Sequence, residues 1–137
     1  MGSEYHEVTF PIKGETHNEQ VQELYADYNA YYKSLEANAI EREIRFTINN
    51  SEDSEYDTQD KQDALREHVY DNPNEYSVYS YTGTFLSSAE GLNVKHETLF
   101  NPKDFDPGDK WEQPNAQRVI DGEQGQSYWV VGAYCSS

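Results

Sequence analysis

Cysteine and cationic residues are scarce in this chain, and it has no long apolar run. Cys135 is the single cysteine among 137 residues. An intrachain disulfide is therefore excluded, and a reducing compartment, the cytoplasm, is the expected setting. No stretch approaches the apolar length of a membrane span or a secretory signal, so no membrane partner is expected. His6, His17, His68 and His96 are scattered, without HxxxH or CxxC spacing, which argues against a transition-metal site. Neither a GxSxG turn nor a phosphate-cradling glycine loop is present. Cys135 sits in an apolar stretch and reads as a small buried thiol. The expectation is a non-enzymatic protein with no cofactor and no metal.

Lys and Arg number 10 against 26 Asp and Glu, a net charge of −16. A folded chain of this mass exposes roughly 7,000 Å², so the negative field is dense. Direct contact with nucleic acid or an anionic membrane is disfavoured, and a basic protein is the natural complement. Hydrophobic residues reach only 35%, yet aromatics reach 14%, with 12 tyrosines. Disordered chains are poor in rings, and each ring buries a large area. A single acidic α+β domain over residues 4–137 is expected, with residues 1–3 read as an expression remnant.

The patterning predicts two helices against a mostly antiparallel sheet of about four to six strands. Val8, Phe10 and Ile12 alternate with polar residues, and Pro11 suggests an edge strand. Val21, Leu24, Tyr25, Tyr28, Tyr32 and Leu35 form one helical stripe, predicting a helix over 17–37 capped by Thr16 or Asn18. Ile44, Phe46 and Ile48 alternate with Glu43, Arg45 and Thr47, which predicts a strand. A second helix is expected from Asp57 or Thr58 to the Asp71–Asn72–Pro73 stop. Residues 76–89 and 124–137 contain no charged residue. In so charged a chain both require burial, and both read as central strands that could be neighbours. Residues 101–115 read as a loop, flanked by short strands around Leu92–His96 and Val119–Ile120. The expected order is βαβαβ followed by further strands.

Acidic residues gather in two places. Glu19, Glu23 and Asp27 recur every four residues on the first helix. Glu52, Asp53, Glu55, Asp57, Asp60 and Asp63 crowd residues 52–63, where Lys61 is the only cation. Calcium is the first chemistry to test. A loop opening at Asp53 places Thr58 where the EF-hand turn needs Gly, and Ala64 where it needs a bidentate Glu. DFDPGD at 104–109 reads as a turn. Residues 1–60 hold 14 acids and four bases, and residues 61–137 hold 12 and six, so the bias is concentrated where the two acidic groups lie. Tyr31 and Tyr56 stand beside these acids, where a partner's Arg can stack.

In size, charge and tyrosine content the chain resembles the small acidic DNA-mimic inhibitors of bacteriophages and mobile elements, the anti-CRISPR and antirestriction proteins. The resemblance implies a non-enzymatic inhibitor that occupies the basic nucleic-acid-binding surface of an enzyme or effector complex. Glu19, Glu23, Asp27, Glu52, Asp53, Glu55, Tyr56, Asp57, Asp60 and Asp63 are the expected partner-binding residues. An immunity protein or antitoxin for a basic nuclease toxin satisfies the same physics. A calcium module, an enzyme using paired carboxylates, and a domain adapted to high salt are the remaining alternatives.

Overall fold

Residues 126–136 are apolar on both faces, which suits a strand covered on both sides. They form β4 (Gln126–Ser136), and β4 lies inside a four-stranded sheet. The computed structural model describes residues 2–52 and 54–137, in the order β1 (Ser3–Pro11), α1 (His17–Asn49), α2 (Gln59–Asp71), β2 (Asn93–Leu99), β3 (Asn115–Asp121) and β4. The sheet order is β1-β4-β3-β2. β4 pairs antiparallel with β1 and β3, while β2 runs parallel to β3. The fold is α+β and mostly antiparallel, at the lower end of the expected strand number.

One face of the sheet packs under the first half of α1. Val8 and Phe10 of β1 stand opposite Val131 and Trp129, and Ala116 of β3 stands opposite Val131. With Ala133 and Cys135 they meet Leu24 and Tyr28 of α1. Burial pushes the Cys135 thiol up to about 11, so it stays neutral and inert at ordinary pH. The other face is covered by the loop after β2. Phe105 lies so close to Gly132 that a Cβ there would fall 2.7 Å from the ring. Gly108 then extends the sheet: its N–H donates to the Gly132 carbonyl, and Tyr134 N–H donates to the Gly108 carbonyl.

Three expectations need correction. The first helix does not stop near residue 37 but runs unbroken to Asn49. Residues 43–48 are therefore helix, not strand, and the order is βααβββ. The apolar stripe changes direction at this point because the helix changes partner. Up to Leu35 it faces the sheet; from Ala39 it turns Ile40 and Ile44 toward Leu65 and Val69 of α2. The period-2 pattern of Ile44, Phe46 and Ile48 was coincidental, since Phe46 is 63% exposed. The third correction concerns residues 76–89, which are buried as expected but form no strand. They are irregular, with a 3₁₀ turn at Phe85–Ser87. Hydroxyls satisfy this backbone locally: Thr82 N–H donates to Ser87 Oγ, and Leu86 N–H donates to Thr84 Oγ1. Such side chains offer the chain an alternative to a ladder. The segment is hydrogen-bonded to β4 through Gly83, whose N–H donates to the Ser136 carbonyl.

That plug fills the angle between the two cores. Phe85 belongs to the sheet core, while Val78 and Leu86 join the hairpin core of α1 and α2. α1 spans about 50 Å, and only its first half lies on the sheet. The accessible surface, 8442 Å², exceeds the roughly 7,000 Å² of a compact chain of this mass. The excess is what a helical hairpin extending from the sheet would add.

Candidate partner-binding surfaces

The two acidic groups occupy opposite ends of α1. Glu19, Glu23 and Asp27 lie in its first three turns, and the 52–63 segment follows its last residue. From Asp27 to Asn49 the helix rises about 33 Å, so the structure does not merge the groups into one patch. Each has its own local chemistry.

At the first end, part of the charge serves the helix itself. Thr16 is the N-cap and its Oγ1 accepts from Glu19 N–H. Glu19 Oε2 accepts from Glu15 N–H at 3.0 Å, tying the approaching chain to the first turn where the helix dipole favours an anion. Asp27 is paired with Lys13 at 3.1 Å. Glu23 has no polar side-chain partner among the described residues and faces solvent.

The second group forms the tip of the α1–α2 hairpin. Thr58 caps α2 by accepting from Lys61 N–H. Lys61 reaches back to Asp57 at 2.9 Å and to the Ser54 carbonyl. Asp63 accepts from Gln59 Nε2 at 2.8 Å. Glu52, Glu55 and Asp60 are exposed without a side-chain partner among the described residues. Asp53 lies outside the described residues. Exposed pairs of this kind are worth little in stability, but Lys61 offsets one carboxylate of the tip. Tyr56 packs against the hairpin core and its carbonyl accepts from Gln62. Tyr31 packs edge-on against Phe10 and Phe85. Both rings serve packing first.

Further along the hairpin, Glu41 binds Arg66 and accepts from the Tyr70 hydroxyl. The Arg66 guanidinium holds the Glu41 carboxyl below its usual range. This pair joins α1 to α2 on the outside, over the contact of Ile40 and Ile44 with Val69 and Leu65.

Three features escaped the sequence reading. The first is Arg118, the only Lys or Arg between residues 111 and 137. It lies over the Trp129 ring at 5.1 Å, and it forms no salt bridge with a carboxylate among the described residues. Its Nη2 donates to His17 Nδ1 at 2.8 Å and to Gln20 Oε1 at 2.6 Å. A guanidinium only donates, so His17 accepts at Nδ1 and offers Nε2–H to His96 Nδ1, 3.2 Å away. The chain of bonds ties β3, α1 and β2 together at one corner of the sheet. A lone cation inside β3, whose only other charged residue is the terminal Asp121, was the available signal.

The second is an exposed aromatic pair. Tyr81 and Trp111 meet edge to face at 5.3 Å, each about half exposed. Both adopt left-handed backbone, φ 55° and 69°, a conformation that costs a bulky residue energy. The third is a tyrosine pair across β1 and β4, where the Tyr5 hydroxyl donates to Glu7 and the Tyr5 ring rests on Tyr134 at 5.5 Å.

No group of three or more metal-ligating side chains exists among the described residues, and the concavities found are open grooves. An example is the one lined by His96, Glu97, Asp104, Asp106 and Gln117. No helix among the described residues is long and apolar enough to cross a membrane. The fold and these surfaces define an acidic α+β protein with exposed anionic and aromatic surface. No protein-family description, curated protein or solved structure matches the chain.

Proposed function

We propose that this protein is a non-enzymatic binding protein whose acidic hairpin tip occupies the basic nucleic-acid-binding surface of a partner protein, in the manner of a DNA mimic. The observation that carries the reading is the tip. A hairpin with its own buried core ends in a segment where Glu52, Glu55, Asp57, Asp60 and Asp63 face solvent against the single cation Lys61. Anions fixed on helix ends present a potential without first having to be ordered, which lowers the cost of association. Asp60 and Asp63, three residues apart on α2, are neighbours on the helix surface, about 5–6 Å apart at Cβ. Duplex DNA carries a charge about every 1.7 Å of axis; the tip offers a sparser version of that pattern. The Glu23 end of α1 lies too far away to share one narrow groove with it.

The test is affinity capture from a cell extract on immobilised protein, followed by elution with duplex DNA or salt. The reading expects captured nucleic-acid-binding proteins that DNA displaces. It also expects them to be lost when Glu52, Glu55 and Asp60 are replaced by Lys, with the circular dichroism spectrum unchanged. Capture indifferent to both DNA and the triple reversal removes it.

A further inference from the structure

The direction of the hydrogen bonds in β4 fixes which side of β1 is open. Tyr134 sends its N–H toward Gly108, on the β3 side. Backbone groups of successive strand residues point to opposite edges, so Trp129, Val131, Ala133 and Cys135 face β1. Their register partners are Phe10, Val8, His6 and Glu4, which turn their own N–H and C=O inward. Ser3, Tyr5, Glu7 and Thr9 therefore present theirs to solvent. Nine regular residues with an unpaired outer row are a ready template for another strand. The opposite edge is a poorer one: β2 is shorter and its register shifts between Val94 and Thr98.

The surroundings select the occupant. Glu7 lies on the outer face beside the Tyr5 and Tyr134 rings, and Glu4 lies on the α1 face opposite Cys135. α1 overhangs the same side: Lys13 holds Asp27 there and Tyr31 packs on Phe10, with Glu23 one turn away. Beyond Thr9 an open groove of about 550 Å³ runs between Thr9–Pro11 and Gln126–Tyr128. A second copy is the wrong guest. Two-fold pairing centred on Glu7 sets that carboxylate opposite itself, which destabilises a ladder, and each chain carries −16. We infer that β1 is a docking edge for an extended basic segment of a partner protein, which adds to the sheet as a fifth strand. The partner's main chain pairs with Tyr5, Glu7 and Thr9. Its arginines reach Glu7 and stack on the Tyr5 and Tyr134 rings. The inference rests on the basic-partner reading for the occupant's charge, but its site is separate from the hairpin tip.

The probe is a synthetic peptide of alternating Arg and Val, compared with the same peptide N-methylated at alternate residues, which keeps the charge and loses the ladder donors. Amide hydrogen exchange on the unmodified protein is expected to show new protection at Tyr5, Glu7 and Thr9 with the first peptide only. Thr9→Pro removes an outward N–H, keeps every charge and breaks no bond to β4; it should weaken binding about tenfold. Equal binding of the methylated peptide, or protection confined to residues 52–63, overturns the docking edge. Should Thr9→Pro fail to fold, the exchange pattern of the unmodified protein decides alone. Reversing Glu52, Glu55 and Asp60 leaves this protection in place, so the tip and the edge fail independently.

Discussion

The two halves of α1 rest on different materials. The first half lies on a sheet and is packed by rings: Tyr28 between Phe10 and Phe85, and Tyr31 against the same two. The second half lies on a single 13-residue helix and buries aliphatic side chains, Ile40 and Ile44 against Leu65 and Val69, with half-buried tyrosines such as Tyr56 at the margin. The sheet core joins β1 to β4 across nearly the whole chain, so those contacts close a long loop. The hairpin core is local, and α2 packs on little besides α1 and the plug segment. A short helix gains most of its stability from such packing. The difference shows how a chain with few apolar residues supports an extended acidic arm: a ring-rich sheet anchors one end of a long helix, and the other end needs only a thin aliphatic seam.

If that contrast is right, the heaviest loss falls on the sheet. Trp129 is fully buried in β4 and carries Arg118 on its face. Trp129→Ala is expected to cost about 3–5 kcal/mol in chemical denaturation, much of the stability of an ordinary domain. A loss under about 1 kcal/mol would show that the sheet core is not centred there.

Next in size is the seam. Ile44→Ala should cost about 2–4 kcal/mol, and its distribution is more telling than its size. Tyr32 and Leu35 pack on both cores, and α1 runs through them without a break. A single unfolding transition followed by fluorescence and by circular dichroism is expected. Two separated transitions would show that the hairpin unfolds on its own.

The smallest effect belongs to Phe46. It stands on the solvent side of α1, and Phe46→Ala should change stability by no more than about 0.5 kcal/mol. A cost of core size would mean that Phe46 is covered by something the single chain does not contain.

Much of this architecture was legible in the residues. Pro11 marked the edge strand, Thr16 the start of α1, and Pro73 the stop after α2. The uncharged run at 124–137 announced the most enclosed strand. Where the reading failed, two signals competed. Glu43–Ile48 alternates with period 2, but Ile40, Ile44 and Ile48 also recur every four residues, and Ala37, Ala39, Glu41 and Arg42 favour helix. The alternation is shorter than the helical series, and the helical series was the true one. Residues 76–89 failed for a different reason. Lack of charge reports burial but does not say which partner satisfies the backbone, and here neighbouring hydroxyls do so. The acidic residues were visible, but not their separation, because that depends on α1 continuing through residue 37.

The sequence by itself determined the charge, the ring-rich core, the α+β class and the helix caps, since these follow from residue type and near neighbours. Tertiary structure alone decided that α1 turns a second face to α2, that the two acidic groups stand at its opposite ends, and that Tyr5, Glu7 and Thr9 present an open backbone edge. Each of these depends on which surface a residue meets across the fold, and local patterning carries no record of that meeting.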